Sequence, residues 1–78
     1  MAIVRHLEHQ PLSVEAQHSE TTCTYCIVRD RNDVPYLQID TYGSRERQIA
    51  GKKSQSIRFS PEAIRELQQI LAIHFKQS

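Results

Sequence analysis

Two pairs of possible metal ligands stand at zinc-like spacings in the first third of the chain, His6 with His9 and Cys23 with Cys26. Four such ligands would complete a tetrahedral zinc site. However, Cys23 and Cys26 lie in a run typical of a β-strand, where a spacing of three puts side chains on opposite faces. We therefore expect no metal or other cofactor, and a structural zinc site through these four residues remains the lesser alternative.

Residues that could perform catalysis are scattered along the chain. His18 and His74 have no serine or cysteine nucleophile in a suitable turn nearby. Gly43 and Gly51 bracket a loop with too little glycine to cradle a phosphate. The Cys-Thr-Tyr-Cys run lacks the helix N-terminus that lowers a thiol pKa in redox motifs. The sequence therefore predicts a protein that is not an enzyme.

Positive charge is concentrated in one segment of a nearly neutral chain. The net charge of the 78 residues is +1, yet residues 44–58 set five cations against Glu46 alone: Arg45, Arg47, Lys52, Lys53 and Arg58. Localised positive charge of this kind is the pattern expected of a surface that binds a polyanion. A solvated loop that happens to be basic is the alternative interpretation.

The element that closes the chain is a predicted helix over residues 61–76. Ser60 can cap it, Pro61 suits its first position, and Glu62 favours the positive end of its dipole. Apolar residues then recur at helical spacing and form one broad stripe: Ala63, Ile64, Leu67, Ile70, Leu71 and Phe75.

Upstream of this helix the hydrophobic period changes to two, which indicates strands. We predict strands near residues 22–28, 36–42 and 54–59, with a turn over 31–33. A further strand is expected over 3–7, and the polar residues 8–20 are expected to form a loop with a short extended piece at 12–14. The chain is thus predicted to be a single α+β domain over 1–78: an N-terminal strand and loop (1–20), β-hairpins (21–59) and a helix (60–76).

The predicted sheet has three to four antiparallel strands, with the helix packed on one face. Leu37, Ile39, Ile57 and Phe59 would meet the helix at Ile64, Leu67 and Leu71. The opposite face would carry Tyr36, Gln38, Tyr42, Ser54, Ser56 and Arg58. Asp40 is expected to be a surface carboxylate near the basic residues. Cations for phosphates together with aromatic platforms for bases are what binding of single-stranded nucleic acid requires.

Three motifs in this order resemble the positive-cofactor-four family of transcriptional coactivators. They are Val28-Arg29-Asp30 followed by Leu37-Gln38-Ile39-Asp40, then Gly51-Lys52-Lys53 before a short strand, and then Ser60-Pro61-Glu62. The resemblance covers roughly residues 23–73. It implies a curved antiparallel sheet with one long helix, dimerisation through the helices, and binding of single-stranded DNA in grooves on the sheets.

The resemblance also implies roles for individual residues. Lys52, Lys53 and Arg58 match the basic strand of that family, and its binding hairpin corresponds to Tyr36, Gln38 and Tyr42. The chain departs from the family in three ways. It is two residues longer between the lysine pair and the Pro-Glu start, it has Tyr42-Gly43-Ser44 where the family has an aromatic stretch, and Asp40 adds a negative charge to the binding face.

A single helix on a small sheet makes a thin core. The apolar stripe of the helix is wider than such a sheet can cover. With no disulfide framework to compensate, we expect a cytoplasmic homodimer. Its interface is predicted to contain Ile64, Leu67, Ile70, Leu71 and Phe75. No apolar run is long enough to suggest a membrane partner.

The leading functional prediction is a dimeric module that binds single-stranded DNA or RNA. The residues expected to contact the nucleic acid are Tyr36, Gln38, Tyr42, Arg45, Arg47, Lys52, Lys53, Ser54, Ser56 and Arg58. The alternative is a structural or protein-interaction module that has no nucleic-acid ligand.

Overall fold

In a computed structural model of the chain, the described residues form four strands and one helix. The strands are β1 (Ala2–Val4), β2 (Cys23–Arg29), β3 (Pro35–Tyr42) and β4 (Lys53–Phe59), and the helix is α1 (Pro61–His74). The structure describes residues 1–18, 20–42 and 53–75. The predicted α+β class, with one C-terminal helix, is confirmed.

The four strands form one mixed sheet in the order β1-β4-β3-β2. β3 is antiparallel to both of its neighbours, as predicted, whereas β1 lies parallel to β4 and places Val4 opposite Phe59. The N-terminal strand ends three residues earlier than expected, because the chain leaves the sheet after Val4 and follows the helix, where the Leu7 N–H donates to Glu66. The expected extended piece at 12–14 is not a strand.

The predicted turn between β2 and β3 is held by one aspartate. The Asp30 carboxylate accepts the backbone N–H groups of Asn32 at 2.8 Å and Val34 at 3.0 Å. Asp33 adopts a positive φ of 62°, a conformation that aspartate tolerates better than most residues. Sequence and structure therefore agree on how this hairpin turns.

The helix start is built as its sequence predicted. Ser60 is fully buried, and its hydroxyl accepts the Ala63 N–H at 3.2 Å, while Pro61 occupies the first helical position. The Ser60 side chain and the backbone N–H of Glu62 itself lower the pKa of the Glu62 carboxyl. The helix ends at His74 instead of residue 76. In the described part of the chain no helix combines the length and hydropathy that a membrane crossing requires.

The apolar core of the single chain is very small. Among the described residues, Ala63 is the one apolar side chain that is buried, while Ile64 and Leu67 are half-buried. The second half of the helix projects from the sheet, and Leu71, expected to pack on it, is 44% exposed. The chain exposes 7346 Å², against about 4,900 Å² for a compact monomer of its 9.1 kDa. The helix therefore packs on the sheet through its first turns.

Replacing Ser60 with alanine should destabilise the fold by about 1 kcal/mol, because the Ala63 N–H would lose its acceptor at a buried helix start. Urea denaturation followed by circular dichroism measures this change in the free energy of unfolding. The matched control is Ser13→Ala at an exposed position outside the helix and strands. Equal stability of the two variants would contradict the capping role.

Candidate nucleic-acid interface

One face of the sheet collects most of the described residues that were predicted to bind nucleic acid. Gln38 lies opposite Arg58, and Asp40 lies opposite Ser56 in the β3–β4 register. Residues at alternate positions of a strand share a face, and so do residues paired across strands. We use the term polar face for the side carrying these four residues and Tyr36 and Tyr42. Of the side chains predicted to share this face, the five that the structure describes do so.

A hydrogen-bonded network occupies the middle of the polar face. The Gln38 amide donates to both carboxylate oxygens of Asp40 at 3.1 Å, and the Ser56 hydroxyl donates to one of them at 2.5 Å. The Arg58 Nε donates to the Gln38 carbonyl oxygen at 2.7 Å. Gln38 thus uses both ends of its amide to connect a cation to an anion.

This network changes two expectations from the sequence. Asp40 was expected to be a surface carboxylate, but it is 3% exposed, and it accepts hydrogen bonds from Gln38 on its own strand and from Ser56 on β4. Gln38, expected to contact a ligand, is 6% exposed and spends its polar atoms within the network. Gln38 therefore positions Arg58, whose two terminal nitrogens bond to none of the described residues.

An aromatic side chain stands at each end of the polar face. Tyr36 and Tyr42 are six residues apart on β3, a separation of about 20 Å in an extended strand. The Tyr42 hydroxyl lies 2.9 Å from the Thr24 hydroxyl of β2. At the other end both terminal nitrogens of Arg5 lie 3.4 Å from the Tyr36 hydroxyl. Both rings are half-buried, so part of each remains accessible.

Arg5 is a cation of this face that sequence reasoning missed. Its guanidinium carbon lies 5.8 Å from the centre of the Tyr36 ring, within the range of a cation–π contact. The hydrogen bond to Tyr36 raises the pKa of Arg5. Ile3 pairs with Arg58 and therefore lies on the polar face. Arg5 is two residues further along the chain, so its side chain lies on the same face. That parallel pairing has no local signal in the sequence.

The basic segment lies mostly outside the described residues. Arg45, Arg47 and Lys52 belong to that part of the chain. Lys53 is the first residue of β4 and pairs with Tyr42, next to a register irregularity between Thr41 and Tyr42. The backbone of β4 thus enters the sheet beside one of the two tyrosines, and Ser54 continues the strand.

The residues of the zinc alternative do not converge. Cys23 pairs with Thr41 and Cys26 with Gln38, so the two thiols leave opposite faces of the sheet, as their spacing predicted. His6 lies instead beside the helix, with its Nδ1 3.2 Å from a Glu66 carboxylate oxygen. Within residues 1–18, 20–42 and 53–75, no three side chains of metal-binding type cluster together.

Glu66 ties the segment that carries Arg5 to the helix. One carboxylate oxygen accepts the Leu7 N–H at 2.8 Å, and the other faces the His6 ring. The Leu7 hydrogen bond, followed by the contact with His6, lowers the pKa of the Glu66 carboxyl. The helix therefore fixes the path of the chain just beyond β1, which holds Arg5 over the polar face.

Comparison with protein-family models, curated protein sequences and solved structures gives no match to this chain. The resemblance to the positive-cofactor-four family therefore stays a prediction from the residues that carry it.

Replacing Gln38 with methionine should destabilise the fold by about 1–3 kcal/mol, because the buried Asp40 loses two hydrogen bonds and Arg58 loses its acceptor. Thermal and urea denaturation measure the loss. Gln55→Met, the same substitution at an exposed position on the opposite face of β4, should change stability by less than about 0.5 kcal/mol. Similar losses in both variants would reject a special role for the network.

The contacts of Glu66 predict a pH dependence. A carboxyl whose pKa is lowered by folding adds stability above its ordinary pKa, and that stability disappears as the pH falls through the lower, folded value. The stability difference between wild type and Glu66→Gln should therefore be fully present above the ordinary pKa of a glutamate and shrink as the pH falls below it. Denaturation curves across the acid range test this, with the exposed Glu8→Gln as control. A pH-independent difference would contradict it.

Proposed function

We propose that this chain is a cytoplasmic, dimeric module that binds single-stranded nucleic acid through the polar face of its sheet, in a role connected with transcription or DNA maintenance. The observation that carries the proposal is the placement of Tyr36 and Tyr42 at the two ends of one face, with Arg58 between them and Arg5 over one ring. Aromatic platforms combined with cations are the elements that bind single strands with little sequence preference.

The charge of Asp40 is compatible with this proposal. A carboxylate on a phosphate-binding face would repel its ligand if it were exposed to it. Asp40 is buried and receives hydrogen bonds from Gln38 and Ser56, while Arg58 lies next in the same network. These donors stabilise the carboxylate, and the half-buried Arg58 is more accessible to a ligand than the buried Asp40.

The dimer in the proposal is supported by the apolar surface that one chain leaves uncovered. Among the predicted interface residues, Ile64 and Leu67 are half-buried, whereas three further along the helix are exposed: Ile70, Leu71 and Phe75. Burying each large side chain in an interface contributes about 1.5–3 kcal/mol. A second copy with the same stripe offers a matching surface.

Charge reversal at the basic strand tests the electrostatic part of the proposal. Lys52→Glu combined with Lys53→Glu should abolish tight binding of a fluorescein-labelled single-stranded oligonucleotide, measured by anisotropy at about 50 and about 200 mM salt. If the two lysines are instead neutralised to glutamine, the slope of log affinity against log salt should flatten by about 1.4, the loss of two phosphate contacts.

The control for the reversal is Arg31→Glu combined with Arg65→Glu, which changes the net charge equally at exposed positions in the β2–β3 turn and on the helix. This variant should retain most of the affinity. A duplex of the same sequence should bind more weakly than the single strand. Unchanged binding after the lysine reversal, or equal loss in the control, would reject the surface.

Stacking on Tyr36 is tested by a pair of substitutions. Tyr36→Leu should weaken binding by roughly 5- to 150-fold, which corresponds to about 1–3 kcal/mol for one stacked base. Tyr36→Phe keeps the ring, loses only the hydroxyl contact with Arg5, and should retain most of the affinity. Equal losses in the two variants would assign the effect to the hydroxyl and argue against stacking.

A protein-interaction module is the second candidate, and the exposed second half of the helix favours it. In that case the apolar stripe would serve a different protein. Size-exclusion chromatography with and without oligonucleotide separates the two candidates, because a shift of the elution position on adding nucleic acid is expected only of the first.

A further inference from the structure

β2 forms one long edge of the sheet, and no strand of the described residues lies beyond it. It is the last strand in the order β1-β4-β3-β2, and no described residue pairs with its outer side. Edge strands are commonly protected by shortness, by proline or by several charges. β1, at the other edge, has three residues, whereas β2 has seven with the sequence Cys-Thr-Tyr-Cys-Ile-Val-Arg and a single charge at its end. The β2 edge therefore lacks these protections.

The hydrogen bonds at the two ends of β2 show which backbone groups face outward. Tyr42 donates its N–H to Thr22, and Asp30 donates its N–H to Val34, so even-numbered positions of β2 form the hydrogen-bonded pairs with β3. The odd-numbered positions consequently direct their N–H and C=O groups to the open edge. These positions are Cys23, Tyr25, Ile27 and Arg29.

This edge is complementary to itself. An antiparallel second copy of β2 must pair odd positions with odd positions for the outward groups to bond. If the two-fold axis passes through Cys26, all seven residues pair and Tyr25 lies opposite Ile27 of the second copy. Tyr25 is 76% exposed and Ile27 60% exposed, so pairing would cover two large side chains from each chain. No like charges meet, because Arg29 lies opposite Cys23 of the second copy.

The area that the chain exposes is large enough for the occupant to be a second copy. The 7346 Å² surface exceeds that of a compact monomer of this mass by roughly 2,400 Å². A stable dimer commonly buries about 800 Å² on each partner, so the uncovered surface is ample for one. Two antiparallel copies of β2 have the same length and place compatible side chains opposite one another, so a second copy can complete this edge.

We infer that β2 pairs with β2 of a second copy about a two-fold axis at Cys26, which joins two four-stranded sheets into one of eight strands. The two polar faces then form one continuous surface. Ile27 and Leu37 line a groove of about 400 Å³ together with Ile64 of the helix. The helix therefore lies on the face of the sheet that carries Ile27. The two helices of such a dimer would lie on the same side of the joined sheet. The strand pairing does not depend on nucleic-acid binding.

The two cysteines of β2 test this register, because they lie at very different distances from the axis. Cys26 would face Cys26 of the second copy at a non-hydrogen-bonded position, with Cα atoms about 4.5 Å apart, which a disulfide can bridge. Cys23 would lie about 20 Å from its equivalent, beyond any disulfide. Both thiols are free and exposed, so conservative substitutions at either site should leave the fold intact.

The experiment compares Cys23→Ser, which keeps Cys26, with Cys26→Ser, which keeps Cys23. Each full-length variant is oxidised with copper(II)–phenanthroline, the acceptor of the two thiol electrons, and examined on a non-reducing gel beside light scattering of the untreated protein. The Cys23→Ser variant should convert mostly to a covalent dimer, and the Cys26→Ser variant should remain largely uncrosslinked.

The inference would be overturned by equal crosslinking of both variants, by crosslinking through Cys23 alone, or by a monomer in light scattering. A dimer that resists crosslinking in both variants would also overturn it and would leave the helix interface as the contact between chains. The oligonucleotide titration tests a different claim from the crosslinking. If Cys26 crosslinks efficiently but the protein binds no oligonucleotide, the proposed ligand is rejected and the strand pairing is retained.

Discussion

The register between β3 and β4 is the constraint on which the rest of the structure depends. Because side chains alternate along a strand, a slip of one residue would move every side chain of β4 to the other face. In the observed register Gln38 meets Arg58 and Asp40 meets Ser56. The same pairing sets Ile39 beside Ile57 on the apolar side. A single alignment therefore decides both what the helix packs on and what the polar face presents.

The buried network gives that alignment a strong preference. Asp40 is a carboxylate with almost no exposure, and such a group is costly to bury unless several donors reach it. Ser56 supplies one of those donors in this register alone, since a slip would carry it to the opposite face, whereas Gln38 donates from the same strand as Asp40. A polar cluster inside a small sheet thus selects one pairing among several that hydrophobic residues alone would tolerate.

Local signals in the sequence predicted much of the fold. The alternation around Ile39, the aspartate-rich turn after β2 and the Ser60-Pro61-Glu62 helix start each depend on residues close together in the chain, and each is observed. What the sequence missed depends on distant pairs. The parallel partner of β1, the contact of Arg5 with Tyr36, and the burial of Asp40 all require strands that are far apart in sequence.

The residues of the candidate site likewise divide into those predicted by local signals and those that depend on distant pairs. The faces of Tyr36, Tyr42 and Arg58 followed from a period of two, which needs no tertiary information. The role of Gln38 did not follow, because a glutamine on an alternating strand looks the same whether it meets solvent or a neighbouring carboxylate. Gln38 binds Asp40 on its own strand and Arg58 across the strand pair, and the second of these contacts depends on the register.

The parallel pairing of β1 also has a consequence for the order of folding. Ala2 meets Ile57 and Leu7 meets Glu66, contacts that join residues more than fifty positions apart. The β2–β3 hairpin closes a loop of a few residues, so its closure entropy is far smaller. β1 can therefore pair only when β4 is available, whereas the β2–β3 hairpin forms between residues that are close together in the chain.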